Sequence, residues 1–409
     1  MRLLDAVLRR GLPLEAAMDG AAGDLDRADD RAFAHAIAAE TLRRLPDLDA
    51  LIDGATSKPL PHDAKARFAL RIALVQALAM DTPPHAAIAT VLPLMDGGPR
   101  RLVHGVFGAV MRGDARLPDP PRLPGPVAKR WRQAWGMKAV DAARAMIAAP
   151  PPLDLTLANP AATGQWAERL GGVSLAPGHV RLPAGTRVTD LDGFADGAWW
   201  VQDIAASIPA RLLGPGDGRS ALDLCAAPGG KTMQLAAAGW RVTALDLAEN
   251  RLARLRENLA RTGLAAEAFV GNALTFAAPE PYDAVLLDAP CSATGIFRRH
   301  PDVLHRATDR VTRDLVQQQQ AMIAQGAKLV KPGGLLVYAV CSLEPAEGEA
   351  VAEAFLASAG DYALDPPGAA ELPSGLAPDP SGFVRVRPGA LADHGGADGF
   401  FVARFKRSG

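Results

Sequence analysis

The 409-residue sequence has only three cysteines, Cys225, Cys291 and Cys341. Three are too few for a disulfide scaffold, and no Cys-x-x-Cys pair occurs. Their separations of 66 and 50 residues match no compact metal motif, so no metal is expected. No apolar run reaches the ~18–20 residues needed to cross a bilayer. The opening Met1-Arg2-Leu3-Leu4-Asp5-Ala6-Val7-Leu8-Arg9-Arg10 carries charges inside its apolar stretch and no small-residue cleavage pattern. It does not read as a signal peptide, so a cytoplasmic protein with no membrane partner is expected. Net charge is also missing: 44 basic residues face 45 acidic ones, for −1. That excludes an all-over nucleic-acid binder and leaves local patches open. Lysine is scarce, eight of the 44 basic residues, so arginine supplies the rest. Guanidinium forks suit phosphates and stack on bases, although a GC-rich genome produces the same excess. Internal repeats are absent.

What remains has the composition of an ordinary globular chain, 49% hydrophobic and 22% charged. Residues 1 to about 117 read as helical. Asp30 to Leu42 carries an apolar residue every three or four places, and Phe68, Leu70, Ile72, Leu74, Val75 and Leu78 continue the pattern. After Pro83-Pro84, His85 to Leu92 reads as a further helix, and Leu102 to Met111 as one more. Leu117 to Pro126 then holds five prolines and a glycine, which reads as a linker. Arg122 to Arg144 holds six basic residues and one acid, with Trp131 and Trp135 four apart on one helix face. RNA contact and burial of both rings are the alternatives, and burial is favoured for large aromatics. From Ser220 the pattern becomes α/β. Strand candidates Ala221–Leu224, Arg241–Leu245, Ala268–Gly271, Tyr282–Asp288 and Leu335–Val340 alternate with helical stretches, which predicts a mostly parallel sheet. Phe383–Val386 and Gly399–Phe405 could close it. The expected domains are a helical one over 1–120, a linker and small α/β subdomain over 121–205, and a catalytic domain over 206–409.

The strongest motif is a buried strand, a glycine turn and a helix start, Ala221-Leu222-Asp223-Leu224-Cys225-Ala226-Ala227-Pro228-Gly229-Gly230-Lys231-Thr232. In α/β sheets, ligands sit at the carboxyl ends of strands, and glycine lets them approach the backbone. Asp246 ends the second strand, where a carboxylate accepts from a ribose diol. Gly230-Lys231-Thr232 suggests a phosphate loop, but Cys225 occupies the position that needs glycine, and no G-x-G-x-x-G is present. A nucleoside ligand without phosphate fits better, and S-adenosyl-L-methionine is one.

Two further motifs follow, Leu287-Asp288-Ala289-Pro290-Cys291-Ser292-Ala293-Thr294-Gly295 and Val340-Cys341-Ser342-Leu343-Glu344-Pro345-Ala346-Glu347. Each ends a strand at the carboxyl edge that carries the cofactor loop. With Val201 to Ser207 and the ending Asp398-Gly399-Phe400-Phe401, this set closely resembles the RsmB/Sun (Fmu) family of bacterial rRNA cytosine-C5 methyltransferases. The amino-terminal bundle is similar to the NusB-like domain of its RsmB branch. The resemblance implies a Rossmann-like S-adenosylmethionine-dependent methyltransferase domain preceded by an all-helical NusB-like domain. It implies action on cytosine of 16S rRNA, and a monomer is expected.

By this resemblance Cys341 is the nucleophile that adds to cytosine C6, making the poorly nucleophilic C5 able to attack a methyl group. Cys291 assists breakdown of the covalent product. Asp288 hydrogen-bonds the base near N3 and N4 and also meets the cofactor. Lys231 supplies positive charge beside the base. The cofactor site would comprise Cys225, Ala226, Ala227, Pro228, Gly229, Gly230, Lys231, Asp246, Asn272 and Asp288. Three inert buried thiols are the bland alternative. Ile296 to Arg313 holds five arginines and two aspartates, and RNA contact is expected from Arg298 and Arg299. Three positions depart from the family: Asn272 for an aspartate that accepts from adenine, Thr156 for arginine, and His104 for asparagine.

Overall fold

The computed structural model describes residues 1–409. It comprises two compact units, Met1–Ala149 with Phe297–Thr308, and Pro150–Ile296 with Asp309–Gly409. No helix is long and apolar enough to cross a membrane.

The first unit holds α1 (Arg2–Leu8), α2 (Leu14–Ala22), α3 (Ala28–Arg43), α4 (Leu45–Gly54), α5 (Lys65–Ala79), α6 (Pro84–Val91), α7 (Gly97–Arg112) and α8 (Gly125–Ala148). Residues spaced three and four apart bring Leu4, Leu48, Ile52, Leu70, Leu74 and Val103 into one core. Arg67 and Arg71 of α5 are also buried. Asp49 of α4 holds both, 3.1 Å from Arg67 Nη1 and 2.8 Å from Arg71 Nε. These arginines are paired by carboxylates inside the bundle, although Arg67 Nε itself has no hydrogen-bond partner.

The proline-rich stretch is fastened to this unit. The Arg122 backbone N–H donates to Asp47 Oδ2 at 3.0 Å, and Arg144 Nη2 to the Pro120 carbonyl at 3.1 Å. The boundary expected near residue 120 therefore falls at Ala149–Pro150. Helix α8 is interrupted at Gly136, with φ 78°. Ahead of the break, buried Trp131 packs on Phe297 with ring centroids 5.4 Å apart. Segment Phe297–Thr308 is held by its own bonds: Asp302 accepts from the Leu14 N–H at 3.3 Å, and His305 Nε2 donates to the Leu42 carbonyl at 2.8 Å. Arg298 is 1% exposed, so the RNA contact expected of it is corrected: a guanidinium sealed from solvent cannot touch a phosphate. Arg299 is half-buried.

The second unit opens with an antiparallel sheet ordered β2-β1-β3, from β1 (Leu153–Leu157), β2 (His179–Leu182) and β3 (Trp199–Val201), with α9 (Thr163–Leu170) between β1 and β2. Buried Asp154 of β1 accepts from Arg181 Nε at 2.6 Å and from the Ile204 N–H at 2.9 Å, capping α10 (Ile204–Arg211). Burial pushes the Asp154 carboxyl up, but bonds from Arg181 and His179 outweigh it and hold it well below the usual carboxylate range. Thr156 is buried in β1.

The main sheet contains β4 (Ser220–Leu224), β5 (Arg241–Asp246), β6 (Glu267–Val270), β7 (Tyr282–Asp288), β8 (Val330–Val340), β9 (Tyr362–Leu364), β10 (Val384–Val386) and β11 (Phe400–Arg407). The helices are α11 (Gly230–Ala237), α12 (Glu249–Thr262), α13 (Val303–Arg306, inside the segment that joins the first unit), α14 (Asp309–Lys328) and α15 (Glu349–Ser358). Strand order is β10-β11-β8-β7-β4-β5-β6, with β9 on β11. The β4, β5, β6, β7 and β8 pairings are parallel and β11 runs antiparallel to β8. Consecutive buried residues Leu286 and Leu287 face opposite sides, as expected for a sheet covered on both faces. The connection from β4 goes to β5 on one side, while β7 lies on the other. That reversal opens a crevice beyond the carboxyl ends of β4 and β7.

Candidate active site

β4 ends at Leu224, and the chain turns sharply. Cys225 has φ 64° and Gly229 has φ 106°. A Cβ at Gly229 would lie 2.9 Å from Leu255 Cγ, so both conformation and space require glycine there. The loop is held from β5. Asp246 Oδ2 accepts from the Ala227 N–H at 3.1 Å, and Oδ1 from the Ala248 N–H at 3.2 Å. Arg251 Nη2 donates to the Ala227 carbonyl at 2.6 Å and lies 3.4 Å from Asp246. Asp246 itself is 2% exposed. Beyond β5 and β6, Leu247 and Val270 expose apolar surface, and exposed Asn272 turns its Oδ1 onto the Leu274 N–H at 3.0 Å.

Lys231 reaches from the start of α11 to the end of β7, with Nζ 2.6 Å from Asp288 Oδ2. The ammonium also sits 5.3 Å from the centre of the Phe400 ring. Burial would strip its proton, but Asp288, Asp223 and Cys341 outweigh that and raise its pKa. Beneath it, Asp223 is fully buried and accepts from the Thr232 hydroxyl at 2.6 Å. Burial pushes Asp223 up to about 7 against that bond, and Oδ1 has no hydrogen-bond partner.

The two thiols meet beside this pair. Register pairs Asp288 with Ala339, so Cys291 and Cys341 leave adjacent strands only three and two residues later. Their sulfurs are 3.5 Å apart. The hydrogen bond to Cys341, followed by burial, pushes the Cys291 thiol well above its ordinary value. Cys225, by contrast, is pushed up to about 12 by burial and the nearby carboxylates, and belongs to the loop. Backbone bonds fix the thiol loops: the Gly295 N–H donates to the Cys341 carbonyl at 3.0 Å, and the Gly399 N–H to the Gly295 carbonyl at 2.9 Å. A Cβ at Gly295 would lie 1.9 Å from the Gly399 carbonyl oxygen, which explains why Thr294-Gly295 and Gly399-Phe400 occur together.

Thus Lys231 meets Asp288 and Cys291 meets Cys341, while Asp246 braces the glycine turn after β4 and Arg298 is buried in a segment that belongs to the other unit. The sequence reading missed Asp223, a charged residue inside the apolar run Ala221–Leu224, and Glu347 with Gln319. Glu347 is fully buried and accepts from the Ser292 N–H at 2.8 Å, the Ser342 hydroxyl at 2.5 Å and Gln319 Nε2 at 3.2 Å.

Residues 210–406 match the family model of the 16S rRNA methyltransferases RsmB/F, and residues 1–112 match the NusB family. Ribosomal RNA small subunit methyltransferase B of Xylella fastidiosa (strain Temecula1) is 35% identical, covering 98% of this chain and 96% of the relative. The protein of that name from Pseudomonas syringae pv. tomato is 35% identical, covering 92% and 89%. The crystal structure of a methyltransferase homolog protein from Pyrococcus horikoshii superposes with a TM-score of 0.58 at 27% identity, covering 69% of this chain and 94% of that one. A likeness at this identity and over nearly the full length of both chains is decisive: the chain belongs to the RsmB/F family of 16S rRNA methyltransferases, with a NusB-family domain at its amino terminus.

Proposed function

We propose that this protein is a cytosine-C5 methyltransferase of 16S rRNA that works through a covalent Cys341–C6 adduct. The observation that carries this reading is the pair of sulfurs 3.5 Å apart at the strand ends that also carry the Lys231–Asp288 pair. S-adenosyl-L-methionine would supply an electrophilic methyl group when bound. The residues present fit it: a glycine turn at the end of β4, a carboxylate ending β5, and exposed apolar Leu247 and Val270 beside them. Cys225, Ala226, Ala227, Pro228, Gly229 and Gly230 would line it through their backbone, with Asp246 and Asn272 at its nucleoside end.

Cys341, as a thiolate whose proton has passed to solvent, bonds through sulfur to C6 of the base, and the electron pair of the C5–C6 double bond becomes available at C5. Once C5 carries the methyl group, its proton leaves with help from Cys291. The pair from the C5–H bond reforms the double bond and expels Cys341 as thiolate. Cys291 suits this role as a thiolate: its sulfur lies 3.5 Å from Cys341, and once its own proton has passed to solvent, the hydrogen bond and burial that raise its pKa make it the stronger base for the C5 proton. Asp288 and Lys231 meet the pyrimidine edge as it gains electron density, and the buried ammonium remains charged. The target cytosine must be unpaired or flipped out, since no thiol reaches C6 inside a stack. Half-buried Arg299 is proposed as a phosphate contact. The test is Cys341→Ala against Cys291→Ala with a 16S rRNA transcript. Cys341→Ala should abolish methylation, and Cys291→Ala should accumulate a protein–RNA adduct on denaturing gels. An adduct in Cys341→Ala instead reverses the roles.

A further inference from the structure

A buried carboxylate outside the reacting set ties the two thiol loops together. Both Glu347 oxygens are used. Oε1 accepts from the Ser292 N–H at 2.8 Å and from Gln319 Nε2 at 3.2 Å; Oε2 accepts from the hydroxyls of Ser292 and of Ser342, the latter at 2.5 Å. Ser292 follows Cys291 in the chain, and Ser342 follows Cys341. The two hydroxyls also lie 3.1 Å from each other. Gln319 is itself fixed by donating to the Pro290 carbonyl at 2.9 Å, one residue before Cys291. The backbone of Glu347 is held as well, since its carbonyl accepts from the Tyr338 hydroxyl at 2.5 Å. A fully buried carboxylate is costly unless its lone pairs are filled. Here neutral donors from three elements fill them, and two of those donors adjoin the thiols. What the arrangement does is fix two loops relative to one another.

We propose that Glu347 is a positioning residue: by holding Ser292 and Ser342 on one carboxylate, it sets the Cys291–Cys341 separation on which adduct formation and adduct breakdown both depend. The inference rests on the two-thiol mechanism proposed above for its catalytic meaning, and on geometry alone for the separation itself.

Two measurements on the full-length protein keep these apart. The first uses no RNA. Diamide takes two electrons and two protons from the thiols, forming a Cys291–Cys341 disulfide and the corresponding hydrazine. Wild type should form this disulfide rapidly, and Glu347→Ala should form it at least about tenfold more slowly. The second is steady-state methylation of a 16S rRNA transcript. A misplacement near 1 Å costs on the order of 100-fold in rate, so kcat of Glu347→Ala should fall by about that factor with KM for RNA unchanged. Glu347→Gln keeps the Oε1 acceptor and the side-chain shape, and should recover part of both rates. If Glu347→Ala does not fold, Glu347→Gln and Ser342→Ala carry the test. Disulfide and methylation rates equal to wild type in those two variants overturn the proposal. A Cys341→Ala protein that still methylates overturns the two-thiol mechanism instead, whatever the disulfide rates show.

Discussion

Replacing Asp223 with asparagine should make this protein more stable at pH 8 and leave it little changed at pH 5. The carboxyl is fully buried, one oxygen has no partner, and burial has moved it from 3.8 to about 7. An unfolded chain ionises this group above about pH 4, while the folded chain resists until about pH 7. Between those values the folded state binds more protons, so stability falls as pH rises, and the loss levels off above the folded pKa. A shift of about three units at ~1.4 kcal/mol each is an upper bound of about 4 kcal/mol. Asparagine does not titrate and can still accept from the Thr232 hydroxyl. Its amide occupies the site of the partnerless oxygen, at a cost of roughly 1–3 kcal/mol that is the same at every pH. The telling quantity is therefore the melting temperature of Asp223→Asn minus that of wild type, followed from pH 5 to pH 8. Other titrating groups cancel in that difference. At ~2–4 °C per kcal/mol for a unit of this size, the difference should grow by roughly 5–10 °C across the range. A difference that stays flat, or that shrinks as pH rises, refutes the assignment of a protonated buried carboxyl under the cofactor loop.

Gly295→Ala should lower the melting temperature and reduce methylation together, since its Cβ would strike the Gly399 carbonyl oxygen and overpacking of this kind costs about 1–3 kcal/mol; calorimetry showing wild-type stability would contradict that contact. Arg298→Ala should destabilise the helical unit while leaving the salt dependence of RNA binding untouched, and a slope of log K against log salt reduced by about 0.7 would reveal a phosphate contact after all. Asp246→Ala should weaken S-adenosyl-L-methionine binding by titration calorimetry, both by removing a nucleoside-end acceptor and by releasing the Ala227 N–H; unchanged affinity would end that assignment.

Local pattern was enough for much of this protein. Apolar spacing and proline punctuation placed α3, α5, α6 and α7, and short β-rich runs bounded by glycine placed β4, β5, β7 and β11, because those features are settled by neighbours a few residues away. The glycine turn after β4 and the two cysteines that precede Ser292 and Ser342 were legible for the same reason. Residue spacing could not reveal what depends on contacts across tens or hundreds of positions. Arg298 reads as an RNA contact in the sequence, yet it is buried and its segment, Phe297–Thr308, belongs to the helical unit. The proline-rich stretch reads as a boundary, but Asp47 and Arg144 bind it to the helices on either side. Glu347 is one more acid in a loop until the parallel pairing of β7 with β8 brings Ser292 and Ser342 to its two oxygens. Residue types and their motifs set which chemistry was available. Which groups came within 3.5 Å of one another depended on strand register and burial, since no short stretch of chain contains those distances.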